Sequence, residues 1–211
     1  GQDAAFSFVP DGCDSYILPK EKKLSEDVVA ARKLLAEAGY PDGKNFPPIK
    51  ITYNTSEQHK PIAEAVQQMW RKNLGIKAEL YNLSWPAYLS ARRNGEFDIA
   101  RASWVGDYAA PESFLDIFLS TNGLNHSGYK SRAYDEKMSR ARTAKTGVER
   151  RKFLAEAEAL LLSETPIIPI YFYSKVYRIS PLVRGWHANL LDHHNYLDVR
   201  LEPPKNAEAK K

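Results

Sequence analysis

Apolar positions along the chain switch repeatedly between helical and strand spacing. Val28, Ala31, Leu34, Leu35 and Ala38 fall on one helical stripe, with Ser25 as the predicted N-cap and Gly39 as the stop. After the loop PDGKNFPP, the run from Ile49 to Tyr53 reads as a strand. A second helix from about Pro61 carries Ile62, Val66, Met69 and Trp70 inward and stops near Gly75, and Ile76 to Leu83 alternates apolar with polar residues. A strand, a helix and a strand in that order predict parallel pairing, because a crossover long enough to hold a helix lets the second strand run beside the first.

Further along, Phe97, Ile99, Ala100, Ala102 and Trp104 predict another strand, ended by Gly106. Pro111 and Glu112 then open a helix bearing Phe114, Leu115 and Phe118. Helices are expected near Ala133 to Thr143 and Val148 to Ser163, the latter turning Phe153, Ala157, Leu160 and Leu161 inward. The run IIPIYFYSKVYRIS reads as one or two buried strands. Such alternation points to an α/β or α+β fold and away from an all-β sandwich.

Composition narrows the function classes. With 43% hydrophobic residues the chain can build a core, and no apolar run approaches the length of a membrane span. The formal charge is +4 and the basic residues scatter, so nucleic acid is not an expected partner. Cys13 stands alone, which excludes an internal disulfide and reads as a turn or surface cysteine. The opening GQDAAFSFVPDG has neither a basic region nor a continuous apolar stretch, so it does not read as a signal peptide.

The strongest chemical signal is RASWVGDYAAPESFL, which sets Asp107 among aromatic and small residues at a strand-to-helix corner, where α/β folds place ligands. An uncompensated carboxylate there suits an ammonium group. Asp107 reads equally well as a helix cap or turn residue. A second cluster, His187, Asp192, His193 and His194, has a metal or catalytic reading, but it lacks helical HExxH spacing and cysteine partners, and a polar turn accounts for it. No metal or other cofactor is expected. Without a phosphate loop, a G-x-S-x-G elbow or a supported Cys and His pair, an enzyme is not expected either.

Read together, YNTS, W-x-x-N-L-G-I, W-x-x-Y-L and G-x-F-D-I-A-R-x-x-W-x-x-D-Y follow in an order that resembles the C-terminal lobe of periplasmic oligopeptide-binding proteins, the extracellular family 5 subunits of ABC importers. The resemblance runs from about Phe6 to about Leu201. It implies a mixed-sheet lobe of the type II periplasmic-binding-protein fold, with the N-terminal segments of the full architecture absent, residues 1–201 forming the ligand-binding lobe and 202–211 a disordered basic tail. Asp107 would then pair with the α-ammonium of a short peptide, while the backbone at Ser103 and Val105 adds a strand to the ligand.

By the same resemblance Trp85 and Trp104 line side-chain pockets, and Arg101 and His59 meet the carboxylate of shorter peptides. Tyr173 faces the cleft. Trp85 before Pro86 also reads as a hydrophobic staple, His59 as a surface residue and Tyr173 as core. Ala109 and Ala110 stand where relatives often carry Asp or Asn. The implied partners are short peptides and a membrane ABC permease, in the periplasm; this chain is then a fragment of a longer protein, or pairs with an N-terminal lobe on a separate chain, or is a free-standing lobe. The alternatives are an interaction module without peptide binding and a hydrolase or metal enzyme using the histidine-rich turn.

Overall fold

The computed structural model describes residues 2–202. In chain order the elements are β1 (Asp3–Ala4), α1 (Val28–Glu37), β2 (Ile49–Asn54), α2 (His59–Leu74), β3 (Ala78–Leu83), α3 (Trp85–Asn94), β4 (Ile99–Ala100), α4 (Glu112–Leu115), α5 (Arg132–Thr143), α6 (Gly147–Glu164), β5 (Tyr171–Phe172), β6 (Val183–Arg184) and β7 (Arg200–Leu201). They fall into two compact units. The first gathers the segments up to Lys23, Val105–Asp116 and from Ala133 onward; the second holds Leu24–Trp104 and Ile117–Arg132.

The second unit is built on a parallel sheet of order β3-β2-β4, with Ile49 opposite Ala78 and Ile51 opposite Ile99. The expected parallel unit is therefore present. Ile51, Tyr53, Ala63 and Ala78 form its buried centre, with Ile49, Val66, Trp70 and Leu80 packed around them. The cap of α1 and the buried stripe of α2 differ from the sequence reading. Asp27, not Ser25, caps α1, because its carboxylate sits at the position that reaches the Ala30 N–H (2.8 Å). Met69 is exposed, since the buried stripe of α2 passes through Ala63 and Val66.

α2 ends at Gly75 in the left-handed conformation, φ 71°. A Cβ on Gly75 would lie 2.2 Å from the Asp42 carbonyl oxygen, so only glycine lets these two backbones meet. Gly75→Ala is expected to destabilise the fold by roughly 1–3 kcal/mol, combining left-handed strain with a backbone clash, read as a lower urea midpoint at unchanged slope.

In the first unit α6 supplies the core with Leu154, Ala157, Leu161 and Leu162, against Tyr134, Met138 and Ala141 of α5, Phe114 and Leu115 of α4, and Val9, Tyr16 and Leu18 of the N-terminal segment. Thr146 caps α6 by accepting from the Glu149 N–H (3.1 Å), and Glu149 returns a bond to the Lys145 N–H (3.1 Å). Cys13 opens a one-turn 3-10 helix, as the turn reading has it, but is fully buried and not at the surface, and burial pushes its thiol up to about 11.

The run after Ile167 also departs from expectation. Only Tyr171 and Phe172 pair, antiparallel, with the two-residue β1; Ile168, Ile170 and Tyr173 are exposed and Val176 is 91% exposed. A two-residue ribbon has no second face to cover these side chains, so their apolar character does not bury them. Residues 203–211 of the expected tail lie outside the described residues, while the Glu202 N–H donates to the Leu182 carbonyl (2.8 Å).

Candidate ligand-binding site

The Asp107 corner belongs to the first unit. Gly106 precedes it because a Cβ there would stand 2.7 Å from the Phe114 ring, which lies against this backbone. The Asp107 N–H donates to Ser113 Oγ at 2.6 Å and the Tyr108 N–H donates to the same oxygen at 3.3 Å. Ser113 itself is buried. The bonding thus runs from the helix back to the corner, the reverse of a cap supplied by Asp107. Pro111, at the N-cap position of α4, makes no side-chain cap bond.

The negative charges of Asp116, Glu112 and Asp107 all act on Tyr108, and the first two are matched to arginines. Glu112 meets Arg150 in a two-pronged fork, Nε to Oε1 and a terminal nitrogen to Oε2, both 2.6 Å; the other terminal nitrogen of Arg150 reaches Asp14 at 2.6 Å. Asp116 takes Arg142 at 2.9 Å. Asp107 is exposed, and among the described residues its carboxylate forms no hydrogen bond or ion pair. Burial first, then Asp116 and Glu112, raise the Tyr108 hydroxyl above its ordinary pKa, so it stays a neutral donor and acceptor at neutral pH.

In the second unit the chain leaves the sheet sooner than the sequence implies. β4 covers only Ile99 and Ala100, and the Arg101 N–H gives the last bond, to the Thr52 carbonyl at 2.8 Å. Beyond it Ser103, in the second unit, and Val105, at the start of the first, make no backbone hydrogen bond among the described residues. Ser103 is exposed, Trp104 half-buried and Val105 74% exposed. Free backbone groups are what strand addition needs.

His59 opens α2 and places Nδ1 2.9 Å from the Asn54 side-chain oxygen. Burial, and then the nearby Arg101 charge, lower its pKa below the ordinary histidine value, so the neutral ring is favoured at neutral pH. The structure therefore brings His59 and Arg101 together. Trp85, at the start of α3, is 55% exposed and stacks on Tyr88 with centroids 5.8 Å apart and planes 25° apart. The Tyr88 hydroxyl donates to the Arg101 carbonyl. Trp85 is thus an exposed aromatic face on a buried ring, not a buried staple.

Tyr173 follows β5 in the first unit, half exposed, its ring edge-on to Tyr171 at 5.0 Å. The sequence reading missed Tyr88 and Ser113. Tyr88 sits inside the W-x-x-Y-L motif and Ser113 beside the Asp107 corner, yet nothing in spacing alone tells which carbonyl or amide a hydroxyl will reach.

The histidine-rich turn is organised around Asp192, which takes His194 Nε2 at 2.8 Å and is also bonded by Lys175 and Tyr177. His194 stacks on Trp186 at 4.6 Å. Among the described residues no group of three or more His, Cys, Asp or Glu side chains could hold a metal ion.

A family model for bacterial extracellular solute-binding proteins, family 5 Middle, matches residues 1–126. The chain belongs to that family. Among curated relatives, the periplasmic murein peptide-binding protein MppA of Escherichia coli is 40% identical over 195 residues, covering 90% of this chain and 36% of its own length. The periplasmic oligopeptide-binding protein OppA of the same organism is 35% identical, covering 88% and 35%. The chain thus spans about a third of the length of these relatives.

Of solved family 5 structures, the unliganded open form of MppA superposes with a TM-score of 0.84 at 36% identity, over 95% of this chain and 40% of that one. Haemophilus influenzae OppA in complex with RPPGFSPFR gives 0.80 at 32% identity, over 96% and 41%. The fold class is that of the type II periplasmic binding proteins, α/β with both parallel and antiparallel sheets.

Proposed function

We propose that this chain is a ligand-binding portion of the peptide-binding subunit of an ABC-type oligopeptide importer, with residues 1–201 as its C-terminal lobe. The observation that carries this reading is the exposed Asp107 carboxylate, unmatched among the described residues while its neighbours Glu112 and Asp116 each hold an arginine. A corner with one uncompensated negative charge is complementary to one ammonium group. The names of the family 5 relatives, all peptide binders among those described above, support the same ligand class.

In this mechanism Asp107 pairs with the ligand α-ammonium, and the free backbone at Ser103 and Val105 bonds the peptide as an added strand. Arg101 supplies fixed positive charge for the carboxylate of shorter peptides. His59, favoured in its neutral form, contributes a hydrogen bond and not a charge. Trp85 and Trp104 offer flat faces to ligand side chains, and Tyr173 lines the cleft. The rest of the family's length, on the same or a separate chain, provides the facing wall, and the closed form docks on a membrane permease from the periplasm. Binding occurs without turnover.

Calorimetric titration with tri- and tetrapeptides, run beside the same peptides acetylated at the N-terminus, tests the reading. Heat with the free amines that disappears on acetylation is the expected result. Equal heats, or none with either set, would overturn the ammonium assignment for this chain.

A further inference from the structure

We propose that Ser113 is a positioning residue for the ammonium site: its hydroxyl oxygen holds the backbone of the Asp107 corner, so that the carboxylate is presented to a ligand in one position. The inference rests on the reading of Asp107 given above. A carboxylate just before a helix ordinarily folds back onto nearby N–H groups, as a cap or an Asx turn. Here the N–H three residues on, that of Ala110, goes to the Tyr108 carbonyl (2.9 Å), and the N–H groups of Asp107 and Tyr108 are taken by one buried oxygen, Ser113 Oγ, at 2.6 and 3.3 Å. The corner is therefore held without using its charge.

Ser113 can do this because its neighbours on α4 are themselves fixed. Glu112 is forked by Arg150 at 2.6 Å on each oxygen, and Phe114 packs against Gly106, where no Cβ would fit, and edge-on to Phe8 with centroids 6.2 Å apart. The hydroxyl thus stands on a segment anchored on both sides. Loss of that oxygen leaves two amide donors unmatched and frees the corner backbone, so the Asp107 carboxylate no longer stands in one position before the ligand. A preorganised acceptor binds more tightly than one that must first be fixed in place.

The test compares wild type, Ser113→Ala and Ser113→Thr, first by amide hydrogen exchange without ligand. Exchange at Asp107 and Tyr108 is expected to rise in Ser113→Ala while Leu115 stays protected, and Thr, which keeps the oxygen, restores the slow rate. In titrations with a free-amine tripeptide Ser113→Ala is expected to bind roughly five- to thirty-fold more weakly, and to cause no further loss when it is added to Asp107→Asn. Unchanged exchange at the two amides, or a loss of affinity that adds in full to that of Asp107→Asn, would overturn the proposal. Absence of peptide heat in the wild type would count against the peptide-binding reading, while the exchange comparison still decides whether Ser113 holds the corner.

Discussion

Asp107→Asn is expected to weaken binding of a free-amine tripeptide by at least tenfold, and by up to several orders of magnitude where the ligand and the facing wall exclude water. Asparagine keeps the size of the side chain and leaves the backbone bond to Ser113 Oγ in place. What changes is one negative charge. The size of the loss depends on solvent: an ion pair left in water contributes about 0–1 kcal/mol, whereas removing one partner of a desolvated pair costs about 2–5 kcal/mol.

The same titration therefore reports how completely the ammonium is covered. The N-acetylated peptide should bind wild type and variant alike, since it carries no charge for Asp107 to meet. A loss below about threefold, in a variant whose circular dichroism matches wild type, would place the ammonium elsewhere. The alternative anionic residues at the corner, Glu112 and Asp116, are already matched to Arg150 and Arg142, so neither is available to rescue the variant without breaking an existing pair.

Glu158→Ala is expected to give the largest loss of stability. This α6 residue is 0% exposed, and its carboxylate accepts from the Phe8 N–H (2.7 Å), the Val9 N–H (2.9 Å) and the Tyr16 hydroxyl (2.5 Å). It ties the N-terminal segment to the longest helix. Truncation leaves two buried donors, Val9 N–H and the Tyr16 hydroxyl, and the part-buried Phe8 N–H without an acceptor, and a cavity beside them; each unmatched buried donor costs about 1–3 kcal/mol, not additively, for a net loss of about 3–5 kcal/mol. In a chain of this size that lowers Tm on the order of 10 °C, measurable by thermal unfolding.

Glu158→Gln keeps an acceptor for the two amides and should cost less. It also exposes a pH dependence of known sign. Burial raises the Glu158 pKa, and this outweighs the opposing pull of Tyr16, Val9, Phe8 and Lys23. The folded state thus holds the proton more tightly than the unfolded chain. The resulting stabilisation is fully present below the unfolded value, about 4.3, and is lost as pH rises through the folded value. Wild type should therefore gain stability relative to Glu158→Gln as pH falls from neutral toward about 4.3, compared by urea midpoints at each pH. A gap that widens in the opposite direction would show that the three donors outweigh burial.

The parallel unit β2, α2, β3 was legible because its apolar residues recur at the period of the element that buries them; in α6 Ala157 and Leu161 are buried as expected, while Phe153 and Leu160 are half-buried. Family membership was legible as well, since it rests on an ordered series of motifs and not on any contact. Asp107 was readable as a candidate because a lone carboxylate among apolar and small residues stands out in sequence.

Other features could be settled only in three dimensions. Helical periodicity marked a stripe on α1, yet that helix buries no residue fully, because burial depends on what another segment brings against it. The apolar run after Ile167 stays exposed for the same reason: β hydrogen bonds need a partner strand, and β1 supplies only two residues. Whether Asp107 caps its helix or remains open was undecidable from the segment itself. It is decided by a hydroxyl six residues away and by two arginines, Arg142 and Arg150, from helices further along the chain. Local sequence sets which residues favour a helix, a strand or a turn, because those preferences act over a few bonds. The pairing of charges and the placement of hydroxyls follow from distances between segments remote in the chain, which only the packed structure establishes.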